Sequence, residues 1–527
     1  MTNKYLYITT LLSLLGLSAR AQEQTGNGTS APRLVVNITI DQLRSDYLEA
    51  FMPLYTSKGF SRLLGEGAVF SNASYGFAPV DRASAVANIV TGVPPYYNNI
   101  TGLRWLNRKT LRPVFCVEDK NYAGLLTSET ASPAHLSTST ITDELKVATE
   151  GRSIVYAIAP NRDAAVLSAG HAANGALWID DNSGEWCTSQ YYYKSYPSWV
   201  RAYNDLMAPR KKVDTKVWEP CNPLVGHFSY FVQGGQKNPF RHKFSGTDGY
   251  DVYKASAMVN EDVTELALQC IGSTGMGNDR VTDMLMLTYY AGNFAHKTVT
   301  ECQIELQDTY VRLDEQLSLL IDEVEKKLGK GGALFVVTST GYSDEESSDY
   351  SKYQIPGGTF YMSRTANLMN MYFGAIYGQA KYVETTFRNQ FFLNHELLEQ
   401  KKISLTDATN RGQEFLAMLS GVRNVYTSIG LLTSQNEQTR KTRNAFSAEN
   451  SGDLIVEVAP GWRILTEDSG ENELSRASYT PFPIIFYGGN VKSQRVDLPV
   501  SCDRIAPTIA RAIRIRAPNA CSVEPLF

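Results

Sequence analysis

The sequence predicts an α/β fold: a mostly parallel central sheet sandwiched by helices, with an inserted cap region. Two observations carry this. Leu34–Ile40 is a run rich in β-branched residues that ends at Asp41, the pattern of a strand buried on both faces with an acid at its C-terminal end. Short apolar runs then alternate with segments of helical spacing, which argues a sheet covered on both sides.

Taken in order, Phe60–Leu64 and Ala83–Thr91 have helical spacing, and Ser153–Ala159 reads as a second strand. Val281–Tyr290 is a third, followed by a long helical segment, Glu305–Leu328, that stops at Gly329-Lys330-Gly331. Ala333–Thr338 and Pro483–Tyr487 are the fourth and fifth strands, and the helical tail Asp503–Ile515 closes the domain. An inserted cap is expected near residues 165–280, which are rich in Trp and Tyr and carry the turn Asp180-Asp181-Asn182-Ser183-Gly184. A second insertion is expected over 359–452, with helical stretches at Asn394–Lys401 and Gly412–Leu419.

The chain has 527 residues, 43% of them hydrophobic and 20% charged, enough for one large domain with a full core, here 33–527. A net charge of −4 argues against a nucleic-acid partner, which needs a basic face. Lys4, the apolar run Tyr5–Leu17 and Ala19-Arg20-Ala21 read as a signal peptide over 1–21, cleaved before Gln22. Residues 22–32 then form a polar, disordered leader. No later run reaches the ~18 apolar residues of a transmembrane helix, so the mature chain is expected in the periplasm or at the cell surface. Cysteines 116, 187, 221, 270, 302, 502 and 521 fit an oxidising compartment, with Cys187–Cys221 and Cys502–Cys521 as the expected pairs.

Several segments together resemble the alkaline phosphatase superfamily, closest to its secreted threonine-nucleophile phosphatases and to the type I phosphodiesterase/nucleotide pyrophosphatases. They are Asp41-Gln42-Leu43-Arg44-Ser45-Asp46-Tyr47, Val90-Thr91-Gly92, Ser168-Ala169-Gly170-His171 and Gly184-Glu185-Trp186. Asp308-Thr309-Tyr310-Val311-Arg312-Leu313-Asp314, Pro460-Gly461-Trp462, Phe486-Tyr487-Gly488 and Asp503-Arg504-Ile505-Ala506-Pro507-Thr508 follow in family order. The resemblance implies an alkaline-phosphatase-like fold. It also implies a reaction centre in which two zinc ions ~4 Å apart, held by roughly six Asp and His ligands, clamp a phosphoryl group for attack by a hydroxyl.

Set against that pattern, most of the centre is missing. Asp41 stands at the first ligand position, but Pro79-Val80-Asp81-Arg82 puts Arg82 where the family has its nucleophilic Thr. A guanidinium stays protonated and repels cations. Gly292-Asn293-Phe294-Ala295-His296 keeps His296 and has Gly292 in place of the ligating Asp. Thr338-Ser339-Thr340-Gly341-Tyr342 lacks both the Asp, replaced by Thr340, and the His that follows it. The last ligand position falls on Pro481. Ala85-Val86-Ala87-Asn88 replaces Gly-His-Thr-Ser, Arg104 replaces a phosphate-contacting Asn, and a Lys-x-Arg pair falls on Asn161-Arg162-Asp163, where the Lys is gone and the Arg is displaced or lost.

These losses point to a catalytically inactive pseudophosphatase, a binding or scaffold component of the cell envelope with an envelope or outer-membrane partner. No catalytic residue, metal or other cofactor is expected on this reading. The alternatives are an active metal-dependent phosphomonoesterase or phosphodiesterase with rearranged ligands, for which zinc is the cofactor, and a non-phosphoryl hydrolase. Asp81 or Ser84 is then a substitute nucleophile; the acidic run Asp344, Glu345, Glu346 and Asp349 reads as a solvated loop, the alternative being that Asp349 and Asp41 hold Ca²⁺ or Mg²⁺ through their oxygens. Arg82 and Arg104 either form a metal-free pocket for a small anion or are neutralised by Asp41 or Asp81. His171, with only six His in the chain, reads as structural.

Overall fold

The computed structural model describes residues 31–227, 239–244, 249–344 and 354–467, the backbone of 471–474, and 481–527. The expected signal peptide and nearly all of the leader lie outside these residues, as do Glu345, Glu346 and Asp349.

The main strands are β1 (Leu34–Asp41), β2 (Ala68–Ser74), β3 (Val155–Ile158), β4 (Gly175–Ile179), β5 (Trp186–Ser189), β6 (Asp283–Tyr290), β7 (Ala333–Ser339) and β8 (Phe482–Gly488). They lie in the order β2-β8-β7-β1-β6-β3-β4-β5, with Gln494–Val496 beyond β2 and Gly124–Leu125 beyond β5. The five strands from β7 to β4 run parallel, while β8 is antiparallel to β7, β2 to β8, and β5 to β4. The α/β class expected from the sequence is therefore correct, with antiparallel flanks around a parallel centre.

The principal helices are α1 (Phe60–Glu66), α2 (Arg82–Thr91), α3 (Arg162–Ala169), α4 (Met258–Thr274), α5 (Gln303–Leu328), α6 (Met362–Tyr377), α7 (Leu405–Ala417) and α8 (Ile505–Ile513). β1 is buried along its whole length, and its alternation divides the core in two. Leu34, Val36, Ile38 and Ile40 face one layer, which includes Leu306, Tyr310, Leu313 and Leu317 of α5. Val35 faces the other, beneath α2, α3 and α8. On that second face β1 turns polar toward its end, through Asn37 and Thr39 to Asp41, and Thr39 is in register with Thr288 of β6 and Thr338 of β7. The apolar core thus gives way to a buried polar layer at the C-terminal edge of the sheet, where ligand sites of open α/β sheets form.

The span expected as a cap near 165–280 begins inside the main sheet. α3 ends at Ala169, and β4 and β5 extend the sheet, joined by a turn in which Asp180 Oδ1 accepts from the backbone N–H groups of Asn182 and Ser183 at 3.1 and 2.7 Å. Further on, Asn260 of α4 exchanges two 2.8 Å hydrogen bonds with the backbone of Tyr290, fixing the end of β6. The second insertion has its own core of Phe360, Met362, Met369, Phe373, Phe391, Leu416 and Val456 under α6 and α7. Its small sheets run on to Leu474. It is fastened by Asp453, a buried acid that accepts from both Arg108 Nη atoms at 3.1 Å and meets His395 Nε2 at 2.9 Å.

Neither expected disulfide is formed: all seven cysteines are free thiols. Cys187 is buried on β5, whereas Cys221 is exposed, its N–H donating to Asp308 on α5. Cys502 is buried behind Tyr75, and Cys521 lies by Gly92 at the end of α2. His171 is structural as expected: Nδ1 meets Asp143 at 2.8 Å and Nε2 meets the Leu136 carbonyl at 3.1 Å.

Candidate functional site

The C-terminal ends of β1, β7, β6 and β3 bring Asp41, Thr340, His296 and the start of α3 to one region, and α2 delivers Arg82. Arg82 is the first residue of its helix, and the helix start is rigidly specified. Asp81 caps it by accepting from the Ser84 N–H, while Ser84 Oγ accepts in return from the Asp81 N–H, both at 3.0 Å. The second Asp81 oxygen accepts from Leu103 N at 2.7 Å, and Arg388 of the second insertion lies 3.6 Å away. Asp81 and Ser84 thus hold the turn that starts the helix.

Arg82 is held between two acids. Nε and Nη2 donate to the two oxygens of Asp163, each at 2.9 Å, and Nη1 donates to Asp41 at 3.4 Å. Asp41 also accepts from Thr340 Oγ1 at 2.8 Å and from the Tyr342 hydroxyl at 3.3 Å. All three charged groups are nearly out of solvent, with side-chain exposures of 17% for Arg82, 3% for Asp41 and 6% for Asp163. Burial pushes the Asp41 carboxyl above its usual range, against the pull of Arg82 and the two hydroxyls. Burial acts the same way on Asp163, but the Arg82 charge and its two hydrogen bonds outweigh it and hold that carboxyl below the usual range. Desolvation alone would ease the proton off Arg82; the two carboxylates reverse this and hold it firmly charged.

At two of the positions where the resemblance implies ligands, a glycine is closely packed. A Cβ on Gly292 would lie 2.7 Å from the Tyr290 hydroxyl and 2.8 Å from Cδ of Gln42. Gln42 is buried in a left-handed conformation (φ 64°), and its Oε1 accepts from Asp344 N at 2.7 Å. A Cβ on Gly341 (φ 68°) would lie 2.5 Å from the Phe482 ring and 2.7 Å from Tyr75. Room for an Asp at the first position and a His at the second has been taken by neighbouring side chains.

The remaining expected residues are engaged elsewhere than with Asp41. His296 is largely exposed, and its Nδ1 meets both Asp344 oxygens at 3.1 Å, which raises its pKa against the opposing effect of desolvation. Asp344 is therefore engaged with His296 and not free in a solvated loop. Pro481 is exposed, its carbonyl accepting from Ser45 N at 3.0 Å. Arg104 lies over the Phe387 ring, 6.0 Å from its centroid. Arg162 turns to Glu129 at 3.3 Å and to the Thr130 carbonyl at 3.1 Å. Asn88 bonds Asp503 at 2.6 Å and ties α2 to the C-terminal segment.

These residues do not fit two zinc ions. The guanidinium occupies the place between the acids, Gly292 and Gly341 have no room for ligating side chains, and Thr340 and Tyr342 spend their hydroxyls on Asp41. Among the described residues no group of three or more His, Cys, Asp and Glu is arranged to hold a metal. Nor is Arg82 an open anion site, since two carboxylates offset its charge. Neutralisation by Asp41 was foreseen; the second partner is Asp163, not Asp81. In the sequence this segment stands out only as the place of a cationic pair, which leaves Asp163 without a role. An acid in the first turn of a helix following a central strand is the signal that marks it.

The sequence model of the type I phosphodiesterase / nucleotide pyrophosphatase family matches residues 35–480. Alkaline phosphatase PhoV of Synechococcus elongatus is 28% identical over 509 residues, covering 93% of this chain and 91% of the relative. Alkaline phosphatase PafA of Elizabethkingia meningoseptica is 26% identical over 538 residues, covering 98% of each. The crystal structure of wild-type PafA superposes with a TM-score of 0.82 at 25% identity, covering 95% of this chain and 99% of that one.

Proposed function

The chain belongs to the type I phosphodiesterase / nucleotide pyrophosphatase family of the alkaline phosphatase superfamily, and from that premise we propose a pseudophosphatase whose reaction centre is closed by its own side chains. One observation supports this reading: Arg82, which the resemblance puts at the nucleophile position, is ion-paired to Asp41 and to Asp163. A guanidinium offers neither a nucleophile nor a metal ligand. The N-terminal sequence supports export, and the described residues contain no helix long and apolar enough to cross a membrane. The role that follows is binding or scaffolding in the cell envelope, with a protein partner there.

The second reading is an active metal-dependent phosphomonoesterase or phosphodiesterase, with zinc as its metal. Its support is the full-length similarity to two proteins named alkaline phosphatases, and on similarity alone it is the better supported of the two. Metal analysis of the purified chain together with p-nitrophenyl phosphate turnover separates them. Stoichiometric zinc with turnover overturns the pseudophosphatase; neither metal nor turnover, with recovery of an envelope partner on pull-down, supports it.

A further inference from the structure

The hairpin of Arg104–Asn107 and Arg112–Phe115 has two unlike faces. Phe115 turns toward the reaction centre, its ring 5.4 Å from the Arg162 guanidinium. Val114, the residue before it, points the opposite way. It lines a groove of about 700 Å³ on the far side, in which Arg82 and Arg162 take no part. That volume lies within the roughly 300–1,000 Å³ of small-molecule sites. The polar groups of its walls are held in place. Asn107 Oδ1 accepts from the N–H groups of Lys109 and Thr110 at 2.9 and 3.0 Å, which fixes the amide and leaves its NH2 for a ligand. Asp119 accepts from Ser132 Oγ at 2.6 Å and from the Asn121 N–H at 3.0 Å, and each of its oxygens keeps a further lone pair. The His135 ring stands edge-on to Trp105, with 5.3 Å between centroids. The turn carrying Glu118, Asp119 and Lys120 is pinned at both ends: Ser132 N donates to the Val117 carbonyl at 3.0 Å and Ala131 N to the Tyr122 carbonyl at 3.3 Å. A site ordered before binding loses little entropy on filling.

These walls select a ligand class. Arg112 and Lys120 are matched by Glu118 and Asp119, so apart from His135 the lining has no net charge and gives an ion no preference. Its apolar parts are Pro113, Val114 and Ala134, and no Phe, Tyr or Trp lines it, so a flat hydrophobic ligand finds no platform. Pro113 also lacks the N–H that a peptide strand added along Arg112–Phe115 would need. What fits is a molecule with donors and acceptors around its rim and small C–H faces between them, as a sugar ring has.

We propose that this groove binds a neutral oligosaccharide, with ring hydroxyls on Asn107, Asp119 and His135 and a C–H face against Val114. The proposal does not depend on whether the centre around Arg82 turns over substrate.

Calorimetric titration of the full chain with chitotriose, maltotriose and cellotriose tests it, with triglycine and inorganic phosphate as controls. Saturable one-to-one binding of at least one trisaccharide is expected. Its affinity should change less than about twofold between low and high salt, because no net charge is exchanged. Asn107→Asp keeps the oxygen that the turn needs and removes the NH2; it should weaken binding about threefold to tenfold, the effect of one or two lost hydrogen bonds. Val114→Trp fills the groove and should abolish binding, and a thermal melt of each variant shows whether the fold is kept. No binding of any trisaccharide at millimolar concentration overturns the proposal. So does equal binding of triglycine or phosphate, affinity unchanged in Asn107→Asp, or binding retained in Val114→Trp.

Discussion

Arg82 donates two parallel hydrogen bonds to Asp163, 81 residues away in sequence, each 2.9 Å long. This fork joins the first turn of α2 to the first turn of α3 and leaves Nη1 for Asp41. A fixed side chain thereby supplies the positive charge at the end of β1.

Removing that charge strands two buried acids. Arg82→Ala is expected to destabilise the fold by about 3–5 kcal/mol, the range for breaking one side of a buried pair. Urea denaturation measures the loss. Adding Asp163→Asn should recover part of it in a double-mutant cycle; a loss under about 1 kcal/mol in Arg82→Ala contradicts the assigned pairing.

Restoring the family residues one at a time is expected to harm the fold. Gly292→Asp and Gly341→His each force a side chain into occupied space and should cost about 1–3 kcal/mol by overpacking. At Gly341 the left-handed backbone adds to this. Thermal melts check both. Neither variant, alone or with Arg82→Thr, should take up zinc in equilibrium dialysis.

The Asp163 carboxyl is held below its ordinary value of 3.8, so the folded state binds its proton less readily than the unfolded chain. The stability it contributes is present above that value and is lost as pH falls through the lower, folded one. Acid denaturation of Asp163→Asn compared with the parent should show their difference shrinking below about pH 4.

His171 titrates with the opposite sign. Its hydrogen bond to Asp143 raises its pKa above 6.5, so its contribution is complete below 6.5 and fades as pH rises through the folded value. Proton NMR should place its midpoint above 6.5, and Asp143→Asn should bring it down. A midpoint unmoved by that substitution would rule out the pairing.

Asp453 holds the second insertion through Arg108, His395 and the Leu393 N–H. Asp453→Ala should raise amide exchange across 383–393 by one to two orders of magnitude, roughly 1.4–2.8 kcal/mol of local opening, while β1 and β7 stay protected. Equal deprotection of the central strands would show the insertion and the sheet to be one cooperative unit.

The central strands were legible because burial on both faces leaves short runs rich in apolar and β-branched residues. β2, β4 and β5 were not: they lie at or near the flanks, and β2 mixes apolar residues with Ser71, Asn72 and Ser74. Asp41, Arg82 and His296 were found because each holds a position in an ordered set of motifs. Asp163 and Gln42 were missed because their roles come from what they touch across the fold. Arg104 was placed in the old mouth by position alone, yet its guanidinium rests on an aromatic ring supplied by an insertion 280 residues later. The disulfides failed for a related reason: an even pairing can be drawn from spacing, but only the fold decides which thiols meet.

The side chains packed around Gly292 and Gly341 also carry a historical consequence. Gln42, Tyr290, Phe482 and Tyr75 fill the volume that larger side chains at these two positions would need. If the proposed pseudophosphatase arose by loss, a lineage restoring those side chains singly would pass through weakened folds before regaining any chemistry. On that reading the packing acts as a ratchet, set by neighbours rather than by the ligand positions themselves.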